Sequence, residues 1–157
     1  MKMNKKFAEQ AQFFLEVLAL EPITIAWILR DCSRFERQCA VDFIYRIVIC
    51  DLAIIYPETI LTKSDEYSYD GIKDFCHTLA VNHPYDGESV IWIDSHFGLS
   101  VKGMAFLRQY HPEAFEQSPG SQPPELNASL IEALEKIFED YGLGWDEEHP
   151  LFPVSKP

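Results

Sequence analysis

The first part of the chain repeats apolar residues with the period of an amphipathic helix. Phe7, Ala11, Phe14, Leu15 and Leu18 recur at intervals of four, three, one and three residues, which places them on one face of a helix. The other side of this helix carries Glu9, Gln12 and Glu16. The pattern therefore predicts a first helix that buries one side.

Two further helices are predicted before residue 57. Pro22 is favoured in the first turn of a helix, so residues 23–30 are expected to form a short buried helix, although their first three residues also suit a strand. Ser33 and Glu36 form the Ser-x-x-Glu pattern of a capping box. The longer helix that they begin is expected to end near Ile55.

This longer helix has apolar residues on two adjoining stripes, as expected of a central helix that packs on two sides. Asp42 and Arg46 have the i, i+4 spacing at which opposite charges meet, on a face expected to lie in solvent. The stripes contain Phe35, Cys39, Phe43, Ile47, Cys50 and Ile54, with Ala40, Ile44, Val48 and Leu52 alongside, and the charged face contains Arg34, Arg37, Asp42 and Arg46.

The middle of the chain predicts short extended segments and further helices. The residue types favour extended structure at residues 59–62 and 89–93, and Gly98 is expected to end the second segment. Helices are expected on either side of it, each with a polar residue at the position that caps a helix N-terminus. They are a helix capped by Ser68 or Asp70 that ends at residues 82–84, and a helix capped by Ser100 that stops at Pro112.

The C-terminal part of the chain predicts a linker followed by one more helix. Residues 118–124 have no apolar side chain other than proline, which is typical of a linker. Residues 125–141 place apolar residues on one face and carboxylates on the other, and Gly142 is expected to end this helix. The tail is expected to be irregular. The whole pattern predicts a mainly α protein with a small β element, α+β in class, folded as a single domain over residues 1–157.

Charge is distributed unevenly along the chain. The net charge is −12, from 13 Lys and Arg against 25 Asp and Glu. Residues 1–57 are neutral, residues 58–112 carry −4 and residues 113–157 carry −8. A negative field of this kind repels nucleic acid and anionic membranes and steers basic protein surfaces towards it. The sequence therefore predicts a protein partner, with no nucleic acid and no membrane.

The composition also bears on compartment and cofactors. The four cysteines form no C-x-x-C pair, and no apolar run is long enough to span a bilayer. Acidic and amide residues behind the basic start interrupt the apolar region that a signal peptide requires. We expect a cytoplasmic protein with reduced thiols and without a metal ion or other cofactor.

Residues 94–96 hold a candidate acid–base or metal cluster. Asp94 and His96, with His77 or His83 upstream, are residue types that a small metal-dependent hydrolase uses, although a single D-x-H spacing has little specificity. A hydrolase is therefore one alternative, and the main expectation is that the chain is not an enzyme.

A second alternative comes from a resemblance to winged-helix domains. Residues 90–103 resemble the closing hairpin and trailing helix of such domains, which follow a unit similar to residues 33–81. A DNA-binding winged helix needs a basic recognition helix, whereas Asp70, Lys73 and Asp74 lie on the corresponding helix here. The resemblance therefore implies an adaptor or regulator that binds protein rather than DNA.

The whole-chain profile resembles the immunity proteins of bacterial contact-dependent growth inhibition and related polymorphic toxin systems. The resemblance consists of the length, the regional acidity, the helical body with a short β element, and the proline-rich linker before a last helix. It implies a basic toxin domain as partner, expected to be a nuclease because nuclease surfaces hold phosphates. The immunity protein would block the active site or an adjacent substrate-binding surface of that toxin.

Two acidic surfaces are expected to contact such a partner. Aromatic side chains among the acids would add the residue type that interfaces favour, and Tyr85, Trp145 and Phe152 are further candidates of this kind. The first surface consists of Asp65, Glu66, Tyr67, Tyr69, Asp70 and Asp74, and the second of Glu132, Glu135, Glu139, Asp140, Asp146, Glu147 and Glu148.

Overall fold

Five α-helices and a three-stranded antiparallel sheet make up the described part of the protein. The structure, a computed structural model, describes residues 3–66, 69–85, 90–116 and 125–155. The α+β class predicted from the sequence is confirmed. The elements are α1 (Lys5–Leu20), β1 (Ile23–Thr24), α2 (Arg34–Ile49), β2 (Ala53–Tyr56), α3 (Gly71–Val81), β3 (His96–Leu99), α4 (Val101–Tyr110) and α5 (Ala128–Asp140), with short 3-10 helices at Ile25–Ile28, Glu58–Leu61 and Pro112–Phe115.

The sheet has the strand order β1-β3-β2, so β3 is the central strand. Phe97 of β3 lies opposite Ile23 in β1 and Ile55 in β2. All three side chains are buried, so this row belongs to the inner face of the sheet. Successive residues of a strand point to opposite faces, so the neighbouring row belongs to the outer face. That outer row consists of Thr24, His96 and Tyr56.

Helix α2 is the centre of the core, and residues 39–47 are all buried. Ser33 caps its N-terminus as predicted, because Oγ of Ser33 accepts the backbone N–H of Glu36 at 3.1 Å. The reciprocal bond of the predicted capping box does not form, because the N–H of Ser33 donates to Oδ1 of Asp31. On one side the ring of Phe14 from α1 packs against Phe43, with 5.2 Å between the ring centroids. Helix α3 packs on another side. The prediction of a central helix that is contacted from two sides is confirmed.

The face of α2 that was predicted to lie in solvent is largely buried. Arg37, Asp42 and Arg46 are inside the protein, and Arg34 is the exposed member of the predicted set. The predicted i, i+4 ion pair is confirmed, with 3.2 Å between Nη1 of Arg46 and Oδ1 of Asp42. Asp42 and Arg46 are buried because the C-terminal tail folds back and supplies hydrogen-bonding partners for them. Arg37 instead donates from Nε to the carbonyl oxygen of Cys32 at 3.1 Å.

The tail after α5 lies along α2. Nε of Arg46 donates to the carbonyl oxygen of Leu143 at 2.7 Å, and Nη2 donates to that of Gly144 at 3.1 Å. Further on, Oδ1 of Asp42 accepts the backbone N–H of Leu151 at 2.9 Å. The described part of the tail is irregular, as predicted, but these hydrogen bonds fix it to the core.

The prediction of an extended segment at residues 59–62 is wrong, because the chain forms the 3-10 helix Glu58–Leu61 there. The strand before it is β2, at positions that were expected to continue helix α2. Helix α2 ends at Ile49, and Asp51 then takes a left-handed backbone conformation with a φ of 60°. This conformation interrupts the helix, and the apolar residues that follow join the sheet.

The extended segment predicted at residues 89–93 is also misplaced. Ser89 lies outside the described residues, and residues 90–93 are not a strand. The strand lies later, as β3, and Gly98 is inside it rather than at its end. A Cβ atom at position 98 would lie 3.4 Å from the ring of Tyr56, an ordinary van der Waals distance, so the packing does not require glycine there. Residues 90–93 therefore do not form the closing hairpin on which the winged-helix resemblance depends.

The remaining predictions are closer to the structure. Residues 23–30 begin with β1 and continue as the 3-10 helix Ile25–Ile28, so both interpretations of this segment are partly right. Ser100 caps α4 as predicted, with its Oγ accepting the N–H of Gly103 at 2.9 Å. Asp70 is the residue before α3, but its side chain makes no capping hydrogen bond.

The last helix, α5, begins at Ala128 and is followed by Gly142, which has a left-handed φ of 72°. The predicted linker at residues 118–124 falls outside the described residues. Helix α5 packs against α1 and α4. None of the helices in the described ranges has the length and apolar content needed to cross a membrane.

Candidate functional site

The regional acidity predicted from the sequence is a property of the surface. None of the ten acidic side chains in residues 113–157 is buried: Glu135 and Asp146 are half-buried, and the other eight are exposed. Among the described residues, the buried acidic side chains all belong to the first 57 positions, as do the buried Arg37 and Arg46. The C-terminal third of the chain therefore presents its carboxylates to solvent.

We name Asp65, Glu66, Asp70 and Asp74 the α3 acidic surface. Asp74 is half-buried and the other three are exposed. Oδ2 of Asp74 accepts the backbone N–H of Asp70 at 2.9 Å, which holds the two together at the start of α3. Within the described ranges, none of the four forms an ion pair with a Lys or Arg nitrogen within 4 Å. Their negative charge is therefore open to a partner.

Tyr69 joins this surface to the loop before β3. Its ring is half-buried and packs edge-on against Phe75, with 5.1 Å between the ring centroids. Its hydroxyl donates to Oδ2 of Asp94 at 3.2 Å. Burial, together with the neighbouring Asp94 carboxylate, raises the pKa of Tyr69 to about 12, so the phenol remains a hydrogen-bond donor at neutral pH. Tyr67, also predicted here, lies outside the described residues.

The second predicted surface combines the exposed face of α5 with the tail, and we name it the α5 acidic surface. Two of its members hold the start of the chain: Glu135 accepts the backbone N–H of Met3, and Glu147 accepts the side-chain amide of Asn4. These two carboxylates therefore have a role inside the fold. The surface consists of Glu132, Glu135, Glu139, Asp140, Asp146, Glu147 and Glu148.

Asp146 is a further member with a structural role. Its Oδ1 accepts the backbone N–H of Glu148 at 3.1 Å, and its Oδ2 lies 3.0 Å from Nδ1 of His149. The hydrogen bond from His149 holds the pKa of Asp146 below its ordinary value. Glu132, Asp140 and Glu148 are exposed, and no Lys or Arg of the described chain forms an ion pair with them.

The aromatic side chains proposed as anchors have different positions in the structure. Trp145 is buried, and its ring contacts Phe7 of α1 edge-on, with 5.0 Å between the centroids. Phe152 packs against the ring of Tyr45 in the same way. Tyr85 is exposed. Of these three candidates, Tyr85 is the one that a partner can reach.

Trp27 is an exposed aromatic residue that the sequence reasoning missed, with 77 % of its surface accessible. Residues 23–30 were predicted to be buried as a helix, and Ile25 and Ile28 are indeed buried. In a 3-10 helix, residues three apart lie on the same side, which leaves Trp27 on the other. The three-residue spacing of the two isoleucines was the available signal.

The acid–base cluster predicted at residues 94–96 is dispersed. Asp94 accepts the hydrogen bond from Tyr69, and His96 is exposed on the outer face of the sheet. His77 is exposed on α3, and Nδ1 of His83 accepts the backbone N–H of Tyr85 at 3.1 Å. Among the residues that the structure describes, no three His, Cys, Asp or Glu side chains are placed to hold a metal ion.

Comparisons of the chain with protein-family models, with curated proteins and with solved structures found no match. Function is therefore inferred from the charge, exposure and geometry of the surfaces described above. The features that bear on it are two acidic surfaces and an exposed tryptophan.

Proposed function

We propose that this chain is an immunity protein that binds a basic toxin domain with nuclease activity and blocks its active site or substrate-binding surface. The observation that supports this best is the exposure of eight of the ten acidic side chains in residues 113–157, none of which is buried. Soluble domains usually intersperse charges of both signs on their surfaces. A surface with an excess of one sign favours a partner with the opposite sign.

The mechanism follows from the electrostatics. A nuclease surface holds phosphates with Lys and Arg, and the exposed carboxylates of the immunity protein take the place of those phosphates. Long-range attraction between the two surfaces accelerates association, and this acceleration falls as salt screens the charges. Once bound, the immunity protein excludes the nucleic acid sterically and by like-charge repulsion.

The α3 acidic surface offers the cleaner test of the proposal. Asp65, Glu66 and Asp70 are exposed, and their carboxylates accept no backbone hydrogen bond in the described structure. Charge reversal at these positions therefore leaves the core contacts intact. In the α5 acidic surface, by contrast, Glu135 and Glu147 hold the start of the chain, so reversal there also disturbs the fold.

The experiment compares two triple variants with the same net charge. The test variant carries Asp65→Lys, Glu66→Lys and Asp70→Lys, and the control carries Glu9→Lys, Glu21→Lys and Glu58→Lys, three exposed positions outside both acidic surfaces and outside residues 113–157. The probe is the C-terminal domain, with its catalytic residues inactivated, of a polymorphic toxin encoded next to this chain, and the absence of such a neighbouring gene would itself count against the proposal. Association rates are measured by stopped flow at 20 and 500 mM salt, and circular dichroism verifies that both variants fold.

We expect the test variant to associate at least about tenfold more slowly at low salt and with a flatter salt dependence, because charge reversal near the contact removes steering. The association rate of the control variant at low salt is expected to fall much less. If the association rates of the test and control variants fall equally, the interface lies outside the α3 acidic surface. A third variant, with Glu132→Lys, Asp140→Lys and Glu148→Lys, then tests the α5 acidic surface. If the wild-type chain neither binds the toxin domain nor inhibits the active form, the proposed function is wrong.

A further inference from the structure

Trp27 stands apart from the other tryptophans of this chain. Trp92 and Trp145 are buried, whereas 77 % of the surface of Trp27 is accessible. A tryptophan that becomes buried on binding removes a large apolar area from water, and tryptophan is enriched among the residues that dominate binding energy.

We propose that Trp27 is the anchor of the partner interface: it inserts into an apolar pocket on the basic partner, while the α3 acidic surface pairs with Lys and Arg beside that pocket. This inference rests on the proposed function and adds the chemistry of the contact.

The segment that carries Trp27 is ordered by the core on both sides. Ile25 and Ile28 are buried, and the backbone N–H of Ala26 donates to the carbonyl oxygen of Trp92 at 3.1 Å. The N–H of Leu29 donates to the carbonyl of Ala26 at 3.2 Å and closes the turn. A side chain on an ordered segment loses less conformational entropy on binding than one on a mobile loop.

A buried carboxylate fixes the loop that follows. Glu36 is inside the protein, and its Oε1 accepts the backbone N–H groups of Arg30, Asp31 and Cys32 at 2.8 to 3.1 Å. These hydrogen bonds hold the chain between Trp27 and helix α2 in one conformation. Trp27 is thus presented to solvent by a preorganised support.

Other apolar side chains are exposed next to this segment. Val90 and Ile93 have 51 % and 56 % of their surface accessible, and the N–H of Ile93 donates to the carbonyl of Val90 at 2.8 Å. The hydrogen bond from Ala26 to Trp92 places this turn beside the segment that carries Trp27. We name Trp27, Val90 and Ile93 the Trp27 patch.

A hydrogen bond joins the residue that follows the Trp27 patch in the chain to the residue that precedes Asp70 of the α3 acidic surface. Asp94 follows Ile93 directly, and its carboxylate accepts the hydroxyl proton of Tyr69 at 3.2 Å. Asp70 is the next residue after Tyr69. This hydrogen bond holds the segment that contains Ile93 against the segment that contains Asp70. An exposed apolar residue and an exposed carboxylate therefore lie on adjoining segments, as expected of the apolar centre and the polar rim that protein interfaces share.

The charges next to the patch select the kind of partner. Arg30, three positions after Trp27, stacks its guanidinium over the ring of Phe13 at 4.0 Å and so lies against α1. The carboxylates on the other side have no such basic partner in the described structure. A second copy of this chain carries the same net charge of −12 and is repelled. A basic protein with an apolar pocket is the complementary occupant.

The test uses the full chain and the inactivated toxin domain named above. Trp27→Ala is compared with Trp27→Phe and with Val101→Ala, a matched apolar truncation at a position on α4 that is 87 % exposed. Dissociation rates are measured by biolayer interferometry. Acrylamide quenching of tryptophan fluorescence is measured for the free and bound chain, with Trp27→Phe as the blank for the two buried tryptophans.

We expect Trp27→Ala to dissociate about 30-fold faster, the factor for the ~2 kcal/mol of a dominant contact residue. Association changes little, because steering depends on charge. The dissociation rate of Val101→Ala is expected to stay within about twofold of the wild-type rate. Binding is also expected to protect the fluorescence of Trp27 from acrylamide.

Three outcomes overturn the inference, and they are distinguishable. If Trp27→Ala binds like wild type while the charge reversals slow association, the anchor is wrong and the proposed function stands. If Trp27 is protected only through self-association, seen by analytical ultracentrifugation and abolished by Trp27→Ala, the patch is a contact between copies of this chain. If the wild-type chain does not bind the toxin domain, both proposals fail together.

Discussion

Arg46 and Asp42 form an ion pair inside the protein, with 3.2 Å between Nη1 of Arg46 and Oδ1 of Asp42. The same guanidinium donates to the backbone carbonyls of Leu143 and Gly144, and the same carboxylate accepts the N–H of Leu151. The pair therefore joins two consecutive turns of α2 to two points in the C-terminal tail. Each charge is compensated by the other and by the backbone of the tail.

Replacement of Arg46 by leucine is expected to lower the free energy of unfolding by ~3–5 kcal/mol, because Asp42 then remains buried without its partner. Arg34→Leu, an exposed arginine on the same helix, is the control and is expected to change stability by about 0.5 kcal/mol or less. Urea unfolding followed by circular dichroism gives both values. A loss below about 1 kcal/mol for Arg46→Leu would mean that the tail is not held by this pair.

Gly103 is expected to tolerate no side chain. A Cβ atom at this position would lie 1.9 Å from the carbonyl oxygen of Leu52, where α4 crosses the chain that leads into β2. Alanine gains about 1 kcal/mol in helix propensity over glycine, but the overlap costs more, and we expect Gly103→Ala to be less stable by ~1–3 kcal/mol overall. In Gly144→Ala, the control, the nearest atom lies at 3.6 Å. Thermal unfolding of a Gly103→Ala variant at or above the wild-type temperature would contradict this close approach.

The thiols are expected to differ in reactivity. Burial raises the pKa of Cys39 and Cys76 above its ordinary value, and that of Cys50 to about 11, so these thiols are protonated and shielded at pH 8. Cys32 is half-buried in the loop before α2. Reaction of the native chain with a disulfide reagent such as DTNB should show one fast thiol, which the variant Cys32→Ser removes. A fast phase that survives in Cys32→Ser would mean that one of the buried cysteines is accessible.

Tyr69 is expected to make stability depend on pH in the alkaline range. Burial and the Asp94 carboxylate raise its pKa to about 12, above the ordinary value of about 10. Because the pKa of Tyr69 is higher in the folded than in the unfolded chain, its contribution to the free energy of unfolding is fully present below about pH 10 and is lost as the pH rises towards 12. Tyr69→Phe should lack this part of the alkaline decline and lose ~0.5–1.5 kcal/mol at neutral pH with the hydrogen bond to Asp94. Unfolding free energies of the two proteins at pH 7, 9 and 11 measure the difference, and parallel curves would contradict the assignment.

The helices were the part of the fold that local sequence predicted best. The Ser33 cap, the Ser100 cap and the glycine after α5 each depend on residues within about four positions of one another. Their hydrogen bonds form inside one segment, so the residues that signal them are adjacent in the sequence. The apolar stripe of α5 also predicted which of its faces is buried.

The strands were predicted less well, because their partners are distant. Residues of β2 lie opposite residues of β3 that are 40 to 46 positions away, and the apolar pattern that continues past Ile49 fits a helix as well as a strand. The left-handed turn at Asp51 decides between them. Asp adopts this conformation more readily than most side chains, but only a minority of aspartates do so, and the presence of Asp at position 51 therefore did not predict the turn.

The sequence by itself determined the helices and the location of the acidic charge, because helix periodicity and net charge are properties of neighbouring residues. Tertiary structure decided which of these charges face solvent. Arg46 is buried because backbone carbonyls about a hundred residues later in the chain accept its hydrogen bonds. Trp27 is exposed because the nearby Ile25 and Ile28 are the residues of its segment that pack into the core. Burial depends on contacts between distant segments, and only the folded chain brings those segments together.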